Sequence, residues 1–227
     1  MNTTTYPQSN ELVISTFFAA VYKWMTIALA ISTLVAWQAS NSTVFIEYIM
    51  THQMVFFGLI IAQFAAVIAL AGWVNKMSFQ MAVLVFLGYA ALTGLTLSTI
   101  FLVYTAASIA KVFVVSSLMF GTMSLYGYTT KKDLSGWGSF LFMSLIGIIL
   151  ASVVNFFLHS PMIEWMVSVA GVIIFAGLAA YDHQKLKAVA LMDPEGKSNL
   201  PIRGALTLYL DFINLFLMLL RLMGNRR

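Results

Sequence analysis

The sequence predicts an all-α membrane protein with seven transmembrane helices. Of its 227 residues, 61% are hydrophobic and only 9% are charged, whereas a soluble globular domain carries roughly 25% charged residues. So few charges cannot cover a water-facing surface. The apolar residues also fall into runs of about 20, the length that a helix needs to cross a hydrocarbon layer. We therefore expect a polar N-terminal tail at residues 1–16 and a single transmembrane domain at residues 17–227.

Seven apolar segments qualify as spans. Aromatic residues lie near the ends of several of them, where tryptophan and tyrosine are typical of a membrane interface. Most connections are short, but a polar loop is predicted at 185–203, with Asp193, Pro194 and Glu195 as turn residues. The predicted spans are 17–40, 54–73, 79–103, 107–128, 137–158, 162 to at least 181, and 204–223.

The basic residues predict the orientation. They form short clusters between apolar runs, which favours a topology signal and a lipid bilayer over a nucleic-acid surface. In the seven-span topology one side holds eight Lys or Arg and the other holds four, so the N-terminus is expected in the cytoplasm. The two groups are Lys23, Lys76, Lys131, Lys132, Lys185, Lys187, Lys197 and Arg203 against Lys111, Arg221, Arg226 and Arg227. A six-span alternative with a re-entrant last segment would return the basic C-terminal tail to the cytoplasm.

Small residues spaced four apart predict close helix packing. Two such pairs are Ala90 with Gly94 and Gly147 with Ala151. The third span also carries several threonines and serines, for which packing is favoured over pore lining. The chain has no cysteine, which excludes disulfides and thiolate chemistry.

Two acidic residues, Asp182 and Asp211, fall inside predicted spans. An ionised side chain at the bilayer centre costs at least roughly 2.5–3.5 kcal/mol, so such residues face a cavity or a partner. If the sixth helix continues to residue 187, Asp182 lies about 7.5 Å from its end, and Asp211 lies about 10 Å past Gly204. Because one loop joins these helices, the simplest topology makes them antiparallel neighbours. The two carboxyl groups can then meet.

If they meet, the two carboxyl groups share one proton, because like charges at short range in a low dielectric do not both stay ionised. The protonated pair forms a hydrogen bond and clamps two helices. The doubly ionised pair repels itself and offers hard oxygen ligands, which calcium prefers. In the alternative, Asp182 caps a helix end and Asp211 bonds a neighbour such as Asn214, three residues away on the same face. His183 points about 100° away from Asp182 and is expected at the interface.

Three segments resemble the signature of the Bax inhibitor-1 family of membrane proteins. They are TTKKDLSGWG at 129–138, GLAAYDHQKLK at 177–187 and GALTLYLDFINLFLMLLRLMG at 204–224. The resemblance runs from about residue 17 to the C-terminus. It implies seven helices with the last helix at the centre, and a pH-dependent calcium leak gated by an aspartate pair in the sixth and seventh helices.

On this sequence the resemblance places the gating pair at Asp182 and Asp211, which would also be the calcium ligands. Calcium is then the transported ion, and no resident cofactor is expected. Candidate supporting polar residues are Tyr181, His183, Tyr209 and Asn214.

The resemblance also implies a latch at the inner end of the second helix. Calcium-leaking relatives carry an arginine there, whereas this chain reads GWVNKMS at 72–78, so Asn75 or Lys76 occupies the place. Lysine supplies a charge but not the bidentate fork of arginine. We therefore expect a latch that is weaker or differently built.

Two other functions compete with the leak. Another branch of the family modulates a membrane-anchored protease, but it lacks the aspartate pair, so a membrane protease partner is a secondary expectation. An intramembrane aspartyl protease would carry Gly-x-Gly-Asp at the second aspartate. Here that stretch reads Leu208-Tyr209-Leu210-Asp211. Without the glycines the backbone cannot approach a substrate strand in the same way, and the protein is not expected to be an enzyme.

Overall fold

The computed structural model describes residues 6–192 and 198–227, and this part of the chain is helical, without a named strand. The helices are α1 (Tyr6–Ser40), α2 (Thr43–Thr51), α3 (Gln53–Trp73), α4 (Phe79–Leu97), α5 (Ile100–Val103), α6 (Ala106–Thr129), α7 (Ser135–Leu158), α8 (Pro161–Ala190) and α9 (Leu200–Met223). A 3₁₀ turn at Val74–Lys76 follows α3.

Seven helical segments of the described chain are long and apolar enough to cross a membrane. They are α1, α3, α4 with α5, α6, α7, α8 and α9, and they confirm the predicted seven spans. The last helix runs without a break over 24 residues, which is about 36 Å at 1.5 Å per residue. That length crosses a hydrocarbon layer, whereas a re-entrant segment would need an interruption in the helix.

The first two spans differ from the prediction outside the membrane. Helix α1 already begins at Tyr6, so residues 6–16 of the expected polar tail extend the first helix. Helix α2 lies in the connection between the first two spans, for which no helix was predicted. Ser42 caps this short helix, because its Oγ accepts a hydrogen bond from the Phe45 N–H at 3.3 Å.

The last two spans are longer than predicted. Helix α8 continues to Ala190, and α9 starts at Leu200 rather than at Gly204. The polar loop expected at 185–203 is therefore shorter. Its predicted turn residues Asp193, Pro194 and Glu195 lie outside the described residues. Apolar positions such as Leu186 and Ile202 are buried, and their packing extends both helices into sequence that looks polar.

The described chain divides into two compact units. The first is built from α1 to α5 and α9 as far as Tyr209, and the second from α6, α7, most of α8 and α9 from Leu210. Residues of α9 belong to both units. This helix is the most buried of the seven spans, with 56% of its most apolar stretch buried, compared with 6% for α3. This burial agrees with a central last helix. The single domain expected from residue 17 stays a prediction.

Close packing in the first unit involves Gly94 on α4. A Cβ atom at Gly94 would come within 2.7 Å of the Ser32 carbonyl oxygen, so only glycine permits this approach of α4 to α1. Ala90, one turn earlier, is fully buried. The packing predicted for this pair is confirmed. The packing predicted at Gly147 is wrong, because a Cβ there would meet no described neighbour within 4 Å.

In the second unit, the C-terminal tail packs on the start of α6. The Asn225 N–H donates to Ser108 Oγ at 2.9 Å, and the Thr105 N–H donates to the Asn225 carbonyl at 3.2 Å. Arg226 pairs with Glu164 in the first turn of α8, at 3.0 Å. The tail that follows the last helix is thereby held at this end of the unit.

Candidate functional site

The two membrane aspartates lie on α8 and α9, far from the helix ends. Asp182 lies eight residues before the last residue of α8, or about 12 Å at the helical rise. Asp211 lies eleven residues after the first residue of α9, or about 16 Å. Both residues lie further from the ends of their helices than predicted, because both helices are longer than the sequence indicated.

The structure brings the two carboxyl groups together in the second unit. Asp182 and Asp211 share a side-chain hydrogen bond. The Asp211 side chain is only 5% exposed, and Asp182 is half-buried. The Asp211 Oδ2 atom is buried and receives no hydrogen bond from an N–H or O–H group of the described residues. A hydrogen bond between two carboxyl groups requires a proton on one of them, because an ionised carboxylate only accepts.

An aromatic side chain of α6 packs beside the pair. The Phe120 ring lies 5.6 Å from that of Phe212, which follows Asp211, and 5.7 Å from that of His183, which follows Asp182. Phe120 therefore contacts the residue next to each aspartate. On the Asp182 side, Lys185 is close enough to interact electrostatically with the carboxyl group.

His183 does not lie at the interface, and that prediction is wrong. The side chain is 0% exposed, and its Nδ1 atom lies 2.6 Å from the Ala179 carbonyl oxygen. Since a carbonyl only accepts, Nδ1 carries the proton of this hydrogen bond. The rotation of about 100° per residue turns His183 into the packed interior against Phe120 instead of towards the lipid headgroups.

The other candidate supporting residues lie elsewhere. The Tyr181 ring packs where Gly138 leaves room at the start of α7, and Lys185 Nζ lies 5.7 Å from its centre. Asn214 Nδ2 donates to the Leu210 carbonyl of its own helix at 2.8 Å. The alternative in which Asn214 is the partner of Asp211 is therefore not what the structure shows.

Tyr209 belongs to a second buried polar group, in the first unit. Its hydroxyl lies 2.7 Å from Ser32 Oγ, which in turn lies 2.7 Å from the Ala90 carbonyl oxygen. The Tyr89 ring lies 5.8 Å from the Tyr209 ring, and Thr93 Oγ1 donates to the Tyr89 backbone carbonyl at 3.0 Å. We call Ser32, Tyr89, Thr93 and Tyr209 the hydroxyl cluster. From the sequence, the hydroxyls of the third span were expected only to pack between helices, and no role was predicted for Ser32.

The two family-like segments at 129–138 and 177–187 contact each other through Gln184. Gln184 Oε1 accepts from the Leu134 N–H at 2.7 Å, and Nε2 donates to the Lys132 carbonyl at 2.8 Å. Lys187 Nζ also donates to the Tyr128 carbonyl, at 3.2 Å. This clamp fixes the α6–α7 loop to α8 two residues from Asp182. The sequence places Gln184 two residues after Asp182, but it does not indicate which groups Gln184 bonds.

Two glycines permit the same close approach. A Cβ at Gly127 would fall on the Ala180 backbone, at 2.8 Å from Cα, and a Cβ at Gly138 would fall on the Tyr181 ring.

In the exposed loop between Gly127 and Gly138, hydrogen bonds from Ser135 lower the pKa of Asp133 below its usual value. Asp133 therefore stays ionised outside the membrane.

The expected latch residues lie at the 3₁₀ turn after α3. Lys76 is its last residue and is exposed, while the side chain of Asn75 lies outside the description. A latch role for either residue stays a prediction, as does calcium binding by Asp182 and Asp211. The described residues contain no group of three or more His, Cys, Asp and Glu that could hold a metal ion.

Seven membrane-length helices with a buried carboxyl pair between two of them define a multi-pass membrane protein with an ionisable group in its interior. The family model described as "Inhibitor of apoptosis-promoting Bax1" matches residues 14–227. The chain belongs to the Bax inhibitor-1 family.

Relatives from several bacteria match nearly the whole chain. The inner membrane protein YbhL of Escherichia coli is 55% identical, over 98% of this chain and 99% of its own. An uncharacterised protein of Borreliella burgdorferi is 43% identical, over 98% and 97%. An uncharacterised membrane protein of Streptococcus pyogenes is 34% identical, over 97% and 96%. Two of these names describe membrane proteins, and none of the three mentions an enzymatic activity.

Proposed function

We propose that the protein is a pH-sensitive calcium leak of the bacterial inner membrane, closed while Asp182 and Asp211 share a proton. The observation that carries the proposal is the hydrogen bond between these two carboxyl groups in a buried site on α8 and α9. The bond joins the two helices only while at least one of the two carboxyl groups holds a proton. It therefore links the proton concentration to the packing of the last helix.

Burial makes the doubly ionised pair unstable in this arrangement. Two charges a few ångströms apart repel strongly where water is excluded. The Asp211 Oδ2 atom has no donor among the described residues, and a buried charge without a partner is costly. Loss of the shared proton therefore favours a state in which the carboxyl groups separate or gain water or a cation.

Calcium fits the chemistry of the ionised pair. It binds about six to eight oxygen ligands, and two carboxylates supply at most about four of them. Water and backbone carbonyls would supply the others, so an ion at this site keeps part of its hydration shell. Such partial coordination suits a transported ion better than a tightly bound one. Membership of the family adds independent support for this activity.

The direction of the pH response follows from the proton. At low pH the pair is protonated and the hydrogen bond holds α8 to α9, so the leak is closed. As the pH rises the pair loses its proton and the closed state loses this bond. Calcium flux should therefore increase with pH.

The test is calcium entry into proteoliposomes that contain an indicator dye, measured from pH 5 to pH 8. The wild type should show a flux that rises with pH. Asp211→Asn should stay near the low-pH flux throughout, because an amide donates to Asp182 without titrating. Equal pH dependence in Asp211→Asn and wild type would remove the pair from the mechanism.

Glu47→Gln is the matched control, since Glu47 is an exposed carboxylate on α2 and its loss should leave the pH profile unchanged. A model transmembrane peptide added to the same vesicles tests the protease alternative. Cleavage that both Asp182→Asn and Asp211→Asn abolish would replace the leak with an enzyme. Co-purification of a protease would instead favour the interaction role.

The orientation belongs to the same proposal, with the N-terminus in the cytoplasm. The seven spans place the basic tail on the opposite side, against the positive-inside rule. The ion pair of Arg226 with Glu164 at 3.0 Å offsets one of the charges of that tail.

A further inference from the structure

The end of α3 carries backbone carbonyls that a side chain from a distant part of the sequence satisfies. The Val74 carbonyl, in the 3₁₀ turn that follows α3, already accepts one hydrogen bond from the Met77 N–H at 3.3 Å. Here Asn199 Nδ2 donates to the Val74 carbonyl at 2.8 Å and to the Met77 carbonyl at 2.7 Å. Both Asn199 and Val74 are buried, at 7% and 1% exposed. All three residues belong to the first unit.

The main chain of Asn199 simultaneously begins the last helix. Its carbonyl accepts hydrogen bonds from the Ile202 and Arg203 N–H groups, both at 3.1 Å, and α9 starts at the next residue. The side chain of Asn199 therefore bonds the turn that follows the second span, and its backbone bonds the first turn of the seventh span.

Asparagine suits this position because its amide group has two N–H donors on a short side chain. Aspartate would present acceptors to two carbonyls, and leucine would present no donor at all. A buried carbonyl without a donor costs free energy, because it loses its hydrogen bond to water without replacement. The chemistry of the position is therefore specific to an amide.

We propose that Asn199 is a positioning residue that fastens the end of α3 to the start of α9 and so serves as the latch of the second span. Asn75 and Lys76, where the resemblance places the latch, lie between Val74 and Met77 in the sequence of this turn. The effect on flux rests on the proposed leak. Helix α9 carries Asp211, so a displacement of the start of α9 would also displace Asp211. The fastening itself does not depend on that function.

Paired spin labels test the fastening directly. The chain has no cysteine, so Lys76→Cys and Arg203→Cys, both exposed, provide two unique labelling sites beside the junction. In reconstituted protein, Asn199→Leu should broaden the distribution of label separations and raise the mobility of the label at position 76. Thr207→Val is the control, since Thr207 bonds only its own helix, through the Arg203 carbonyl at 3.1 Å.

Flux is measured on the same Asn199→Leu variant without labels. Loss of one buried and one partly buried hydrogen bond should shift the closed–open ratio by about tenfold, so flux at pH 5 should rise accordingly. If Asn199→Leu does not fold, Asn199→Asp keeps the size and removes the donors at pH 8, and it should show the same label response there.

An unchanged distribution of label separations in both variants would overturn the proposal. A label response without a change in flux would establish the fastening and overturn its coupling to the leak. The proposed function is tested separately, by the pH profile of Asp211→Asn.

Discussion

The last helix takes part in two buried polar groups that differ in what they need from solvent. The hydroxyl cluster around Tyr209 consists of neutral groups, and the 2.7 Å contacts of Ser32 satisfy it within the protein. The carboxyl pair at Asp211 contains an oxygen without a donor in the described chain. Both groups are buried, but only the second changes its charge with pH.

In the proposed leak, this difference fixes the last helix at the hydroxyl cluster and makes its packing depend on pH at the carboxyl pair. Hydroxyl groups both donate and accept, so their hydrogen bonds persist over the whole physiological pH range. A carboxyl pair keeps its bond only while it holds a proton. Tyr209 and Asp211 are two residues apart, which separates their side chains by about 200° around the helix. Tyr209 therefore points away from the carboxyl pair, although the sequence had suggested it as a supporting residue there.

Both polar groups lie beside close helix approaches that depend on glycine. Gly94 lets α4 approach the backbone of Ser32, and Gly127 lets α6 approach the backbone of Ala180, two residues before Asp182. Small residues allow such approaches in membranes, where apolar burial against lipid gives little advantage. Close backbone contact positions each polar group, and the chemistry of its side chains then decides whether it titrates.

The largest effect is expected from Gly127→Ala, which attacks the packing on the carboxyl side. The added Cβ would meet backbone that cannot rotate away, and overpacking of this kind costs about 1–3 kcal/mol or more. Thermal unfolding in detergent should show a clear loss of stability. Gly121→Ala on the same helix has open space and should be neutral or slightly stabilising. Equal behaviour of the two variants would contradict the close approach.

Tyr209→Phe should have a moderate effect on the hydroxyl side. It removes the hydroxyl that lies 2.7 Å from Ser32 Oγ, and a lost hydrogen bond of this kind costs about 0.5–1.5 kcal/mol. Because nothing in the cluster titrates near neutrality, the loss should be the same at pH 6 and pH 8. Unfolding at both pH values measures it, with the exposed Tyr126→Phe as control. A loss of stability that depends on pH would contradict the difference between the hydroxyl cluster and the carboxyl pair.

Glu164→Gln should have the smallest effect, and it compares an exposed carboxylate with the buried pair. The side chains of Arg226 and Glu164 are 60% and 42% exposed, and exposed ion pairs contribute about 0–1 kcal/mol. A double-mutant cycle with Arg226→Gln, at low and high salt, should give a small coupling that salt weakens. A coupling above that range that persists in high salt would show that the tail is held more tightly than its exposure indicates.

The sequence by itself determined the number and order of the spans. Runs of about 20 apolar residues leave few alternatives in a hydrocarbon layer, and the boundaries of α3 at Gln53–Trp73 and α7 at Ser135–Leu158 lie within two residues of the prediction. It also singled out Asp182 and Asp211, because a carboxyl group in a long apolar run stands out whatever the fold.

Only the tertiary structure decided what each polar side chain bonds. Ser32 meets Tyr209 from 177 positions away, and Asn199 reaches the end of α3 from 125 positions away. Neither pairing has a local signal, because hydrogen-bond partners across helices depend on rotation and depth. His183 shows the same limit, since adjacency to Asp182 could not reveal that it faces Phe120. Composition sets which segments enter the membrane, and packing between helices sets which of their polar atoms meet.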